Sequence, residues 1–299
     1  MSKNISYLFV LLAALLWGSI AAIGKLLLAD LDNFQILFFT IFFAFISLFF
    51  IVFFQKKISI IKSYTKRDYL TFAWMGFLGI FFYPFFFYSA LQLLSAQEAF
   101  IINYLWPIMV VVFTVLILKE KMTLKKIVGI ICSFVGVIIV ITKGDFSSLQ
   151  FGSTTGILFA ITGAIAYSLF SVFDKKQNYE KFTSMMFYYL FSFFCALIAV
   201  LFFSKIPMIS TYQLIGLIWL GVFVNGLALA FWFFALKYGD AIKMSNMIFL
   251  TPFISLVYIY FLVGEKILAS SVIGLMVIVT GIVIQSIGKN LPSKKLEIH

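Results

Sequence analysis

The chain has 299 residues, of which 64% are apolar, 20% aromatic and only 11% charged, with a net charge of +11. Water-soluble domains carry roughly a quarter charged residues, so this composition excludes one and indicates an integral membrane protein. The positive charge does not point to nucleic acid, because the lysines lie in short stretches between apolar runs.

Ten apolar runs follow one another, at roughly 5–28, 33–54, 69–91, 96–118, 124–142, 152–173, 182–204, 212–236, 241–263 and 270–288. Each is near the twenty or so residues that a membrane-spanning helix needs. The first is too long for a signal-peptide core and has no convincing cleavage site, so it is read as a retained helix. In the third run Pro84 beside Tyr83 predicts a bend. The fourth run holds Asn103-Tyr104-Leu105-Trp106-Pro107 near its centre. Proline there lacks the N–H of a helix and frees a carbonyl, and a carbonyl freed within lipid needs a partner or a wet cavity. The amide and the rings beside that kink make this run a candidate wall of a binding site. Cys132 and Cys195 each lie inside an apolar run and the sole histidine is His299, the last residue, so no metal set, cofactor or disulfide framework is expected.

The second half repeats the first. Moved forward by 145 positions, Trp74 meets Trp219, Ala96 meets Ala241, Pro107 meets Pro252, Glu120 meets Glu265 and Lys121 meets Lys266. Gly18, Gly76, Gly129 and Gly136 meet Gly163, Gly221, Gly274 and Gly281. Trp, Pro and Glu are scarce here, so their coincidence indicates a tandem duplication. The expected organisation is a first five-helix repeat over 1–145, a second over 146–290 and a short tail over 291–299.

With the N-terminus in the cytoplasm, 18 of the 22 Lys and Arg residues fall on the inside and four, Lys25, Lys143, Lys205 and Lys266, on the outside. That asymmetry predicts both termini cytoplasmic. Five spans per copy is odd, so the second copy crosses the membrane upside down. The predicted fold is all-α: ten transmembrane helices as two inverted five-helix repeats, an arrangement found in transporters that work by alternating access.

Trp17-Gly18-Ser19 followed by Lys25, the proline of the fourth span, the Glu-Lys that closes it and the Gly129/Gly136 pair resemble the EamA-type transporters of the drug/metabolite transporter superfamily. The resemblance extends over essentially the whole chain, and Asn103 to Pro107 is similar to the aromatic amino-acid exporter branch. It implies a central cavity lined by spans one to four and six to nine, with spans five and ten peripheral. In the second copy Phe249, Thr251 and Thr162 replace Tyr104, Trp106 and Trp17, so such a site is asymmetric.

The candidate substrate-binding residues are Trp17, Lys25, Tyr83, Tyr88, Asn103, Tyr104, Trp106, Tyr167, Asn225, Trp232 and Asn246. Aromatic rings can stack on a flat solute or hold an ammonium group over their face, or pack between helices. The amides bind a polar solute or bond between helices. Lys25 offers an anion site or snorkels to the outer surface. Glu98 is a possible coupling carboxylate, or a charge settled by the positive end of its helix. Pro84, Pro107 and Pro252 are the expected kinks. An enzyme would need a nucleophile and base, a metal set or paired acids at depth, and none is apparent. The expected activity is secondary transport of a small amphipathic metabolite, an amino acid moved outward. The alternatives are a carrier of choline or another organic cation, and a membrane scaffold that transports nothing. The expected partners are a small-molecule substrate and the lipid bilayer of the cell membrane, without nucleic acid.

Overall fold

The computed structural model describes residues 3–145 and 153–286. The start of the second half at 146, the tail 291–299 and Lys289, Lys294 and Lys295 lie outside the described residues. Among those residues nine helices are long and apolar enough to cross a membrane. They are α1 (Ile5–Leu27), α2 (Asn33–Phe54), α3 (Lys66–Leu93), α4 (Ala96–Leu118), α5 (Leu124–Ile141), α6 (Thr154–Lys175), α7 (Lys181–Phe203), α8 (Thr211–Tyr238) and α9 (Lys243–Val263). A tenth apolar helix, α10 (Ala269–Ser286), is shorter. Each apolar run of the sequence therefore becomes helix, with ends shifted by a few residues, and the described residues contain no strand.

Short polar links start the helices. Asp32 with Gln35, Thr65 with Asp68, Ser95 with Glu98 and Ser210 with Gln213 form reciprocal caps at the N-termini of α2, α3, α4 and α8. Such pairs satisfy amide donors that the helix itself leaves free. Close side-chain packing and interhelical hydrogen bonds then hold the helices together, since lipid is as apolar as the faces that meet. Phenylalanines such as Phe50, Phe53, Phe54, Phe202 and Phe203 stay exposed, on the surface a bilayer would cover.

Two helices are broken at equivalent places. α4 runs as Ala96–Asn103 and Trp106–Leu118; α9, whose helix extends back to Ala241, runs as Ala241–Ile248 and Thr251–Tyr258 before a final π-helical turn. Pro107 and Pro252 occupy the second position of each later segment, where a missing N–H costs nothing. α3 and α8 carry wide π-helical turns at Phe77–Phe82 and Trp219–Leu227. Pro84 follows the first, but Leu229 stands at its place in α8, so the turn does not depend on proline.

α5 and α10 cross in antiparallel fashion. A Cβ placed on Gly129 would lie 2.7 Å from the Gly281 carbonyl, and one on Gly136 would lie 2.5 Å from that of Gly274. The reverse contacts, from Gly281 to Gly129 and from Gly274 to Gly136, are equally tight. Backbones this close tolerate only glycine at the crossing.

Polar contacts tie the loops together at each end of the bundle. At the lysine-rich end Lys57 pairs with Glu180 at 2.7 Å, Lys126 and Lys175 with Glu120, and the Tyr179 hydroxyl donates to Asp68 at 2.6 Å. At the opposite end the Gln35 amide donates to the Lys205 carbonyl at 3.0 Å and the Ser204 hydroxyl to Asp32.

Candidate functional site

The break in α4 is the focus of the site. Pro107 has no N–H to donate to the Asn103 carbonyl, and the chain passes through Tyr104 and Leu105 in a tight turn before α4 resumes. This turn aims Asn103, Tyr104 and Trp106 at neighbouring helices. Tyr83 of α3 and Tyr167 of α6 have ring centroids 4.7 Å apart, and Trp106 meets Tyr167 edge-on at 5.0 Å. Tyr104 lies 6.5 Å from Trp106. The Asn103 amide donates to the Tyr83 hydroxyl at 3.4 Å.

Asn103 is 5% exposed, and its Oδ1 has no hydrogen-bond partner among the described residues. An amide oxygen at this depth without a donor is costly. It is an acceptor waiting for an N–H or O–H. Thr251 Oγ1 and Ser255 Oγ, on the segment of α9 that packs against Ala96–Asn103 and α1, are likewise buried and unpartnered. The three rings and the amide acceptor at the α4 break suit a small solute that has both an apolar body and a hydrogen-bond donor.

The sequence did not single out Ser168. Its hydroxyl donates to the Trp106 carbonyl at 2.9 Å and fixes the backbone just after the break. Nothing in the sequence marks it among the other serines of the helices. Gly163, known only as a repeat match, lets α6 lie against Asn103, with a hypothetical Cβ 3.4 Å from Oδ1. Gly18 does the same for α1 against α9, where a Cβ would fall 2.7 Å from Ile254 and 3.3 Å from the Thr251 carbonyl.

The other candidates are not part of this cluster. Trp17 pairs with Trp232 at 6.2 Å, and Trp232 packs with a separate apolar group around Val10, Ala235 and Met244. Tyr88 is buried against Gly24. Asn225 is half-buried within the π-helical turn of α8, and Asn246 is exposed on α9. The Lys25 ammonium donates to the Leu91 and Leu94 carbonyls at 2.5 and 2.7 Å, capping the end of α3. Glu98 is held by the Ser95 amide and hydroxyl at 3.1 and 2.7 Å, with Lys143 at 3.5 Å.

Comparisons with known proteins agree with this architecture. The chain is 25% identical to the uncharacterized transporter YoaV of Bacillus subtilis (strain 168), over 91% of this chain and 94% of that protein. It is 27% identical to an uncharacterized transporter of Clostridium kluyveri, over 93% and 92%. The aromatic amino acid exporter YddG of Ancylobacter novellus is 29% identical, over 34% of this chain and 36% of its own. A solved crystal structure at 19% identity superposes with a TM-score of 0.66 over 95% of this chain and 96% of its own, which shows a shared fold. The EamA-like transporter family matches residues 4–142 and again 154–287, and this multi-pass membrane protein belongs to that family.

Proposed function

We propose that the protein exports an amino acid or a similar small amphipathic metabolite across the cell membrane. It does so by alternating access of two inverted repeats, 1–145 and 146–290, with both termini cytoplasmic. The observation that carries the substrate reading is the unpartnered Asn103 Oδ1 beside the Tyr83, Tyr167 and Trp106 rings. An α-ammonium or amide N–H satisfies that oxygen, and the rings take an apolar side chain. The partial likeness to an exporter of aromatic amino acids supports the same class.

The inverted arrangement is supported by the antiparallel α5–α10 crossing. The pair Gly129 and Gly281 turns into Gly274 and Gly136 when each residue is exchanged for its counterpart 145 positions away. A pseudo-two-fold axis through the crossing produces that exchange. Lysine placement supports the orientation.

A quaternary ammonium such as choline is the second reading, because three aromatic faces without a carboxylate among them also suit a diffuse cation. Uptake and efflux in proteoliposomes with a panel of amino acids, choline and polyamines separates the two. Movement of choline or polyamines with no flux of any amino acid overturns the first reading. Within the panel, Trp106→Ala is expected to cut flux of the transported solute about tenfold, while Trp106→Phe keeps most of it. Unchanged flux in Trp106→Ala assigns the ring to packing.

A further inference from the structure

The two broken helices share a design, yet their first segments are packed very differently. In Ala96–Asn103 of α4 all eight residues are buried. In the matching part of α9, Lys243 and Asn246 are exposed, Ser245, Met247 and Ile248 are half-exposed, and Met244 is buried. The bundle is therefore closed around the start of α4, at the end opposite the lysine-rich one. It is looser around the start of α9.

The start of α4 is fastened to the other half of the chain. Glu265 accepts hydrogen bonds from the Ala96 and Gln97 amides at 2.6 and 3.2 Å. The Gln97 side chain donates to the Lys266 carbonyl at 3.0 Å, and its oxygen accepts from the Leu268 amide at 3.2 Å. Gly264, with φ of +76°, ends α9 and turns the chain so that the carboxylate faces those amides. A carboxylate at a helix N-terminus satisfies free donors and meets the positive end of the helix dipole. Lys25, fixed on the α3 carbonyls, lies within electrostatic reach of Glu265 and Glu98.

The carboxylate of this clasp has a counterpart, since Glu120 matches Glu265 across the repeat, but its other members change. At 145 positions further on, Gln97 becomes Ile242, Glu98 becomes Lys243 and Lys25 becomes Phe170. An isoleucine cannot hold a carbonyl and an amide at once, as Gln97 does.

We propose that Gln97 and Glu265 form the gate that closes the end of the carrier opposite the lysine-rich one. At the other end Lys243 and Asn246 are exposed, and the carrier rests open there. This rests on the transport reading above. To admit solute from the other side, the first segment of α4 leaves Glu265 and moves outward while the first segment of α9 moves in. Gln97 and Glu265 act as positioning residues and do not touch the solute.

Spin-label distances test the gate in the full-length protein in nanodiscs, with Cys132 and Cys195 replaced by alanine. One label pair, Leu93→Cys with Leu268→Cys, spans the clasped end, and another, Met122→Cys with Lys243→Cys, spans the lysine-rich end. Gln97→Ile is expected to lengthen the first distance by about 5 Å and shorten the second by a similar amount, the scale of a one-turn helix shift. Glu265→Gln, which keeps an acceptor, should give a smaller shift in the same direction. The converse change, Ile242→Gln, gives the opposite end part of a clasp and is read with the label moved from Lys243 to Asn246. It should shorten the distance at the lysine-rich end without weakening the fold. If Gln97→Ile and Ile242→Gln both keep the parent distances, the gate is overturned. These distances depend on neither solute identity nor membrane orientation. A failed substrate panel with shifted distances sinks the export reading alone, and flux with unshifted distances sinks the gate alone.

Discussion

The start of α4 and the start of α9 are the same element used twice, and they end in different environments. Both are short helices stopped by a two-residue break, with proline at the second position of the segment that follows. The α4 segment carries Gln97, Glu98, Phe100, Ile101 and Ile102, all buried. The α9 segment puts Lys243 and Asn246 on one exposed face. Duplication supplied the backbone design. A few polar side chains differ between the copies, Gln97 and Glu98 standing where Ile242 and Lys243 do. The gate proposed above assigns the closed end of the carrier to that difference.

The comparison breaks most clearly by placing the same kind of change in each segment. Ile101 is fully buried. Ile101→Asn inserts an amide with no partner into packed helices and is expected to destabilise the protein by about 2–4 kcal/mol. Asn246→Leu, on the exposed face of α9, is expected to stay within about 0.5 kcal/mol. Denaturation midpoints of the two variants in detergent micelles check this. Equal losses would mean that both segments are equally enclosed.

A middle-sized effect belongs to the end of α3 that abuts the clasp. Lys25 satisfies two carbonyls there at 2.5 and 2.7 Å. Lys25→Met keeps the apolar stem and removes both charge-assisted bonds, with an expected cost of about 1–2 kcal/mol after allowing for its partial exposure. Lys25→Arg should recover much of that in the same denaturation measurement. Full stability in Lys25→Met would show that the carbonyls find other donors, and that the closed end does not depend on this cap.

Much of this was legible in the sequence, and physical reasons separate what was from what was not. Run length fixes helices because a bilayer sets the length a helix needs, so the ten runs translate directly. Pro107 and Pro252 announce their breaks through an absent N–H. Gly129, Gly136, Gly274 and Gly281 announce a close crossing through spacing on one helix face. Glu265 is another matter. Its repetition at Glu120 marks it as shared scaffold, but which helix end it reaches depends on how the halves dock, and no local pattern encodes that. Lys25 posed the same problem: position along α1 suggests an anion site or snorkelling, whereas its carbonyl partners come from residues more than sixty positions away. Of the eleven substrate candidates, the spacing around Pro107 draws attention to Asn103, Tyr104 and Trp106. Their neighbours Tyr83 and Tyr167 come from other helices and join them only through packing. Ser168 was invisible for the same reason.

The smallest expected change in stability is also the sharpest test of what α4 has and α9 lacks at its break. Asn103 makes one long hydrogen bond, 3.4 Å to the Tyr83 hydroxyl, and leaves its oxygen unpaired. Interhelical hydrogen bonds in membrane proteins average about 0.6 kcal/mol, and an unpaired buried oxygen offsets even that. Asn103→Leu, of similar volume, should therefore leave the denaturation midpoint nearly unchanged or raise it slightly. If the oxygen exists to receive a solute N–H, the same variant should lose most of its flux, about tenfold or more. Ile248 stands at this position in α9, so the apolar side chain is compatible with the break itself. A variant that is both stable and fully active would make Asn103 an ordinary tolerated amide. One that is unstable would make it part of the packing. Stability retained with flux lost is the combination that a binding role alone produces.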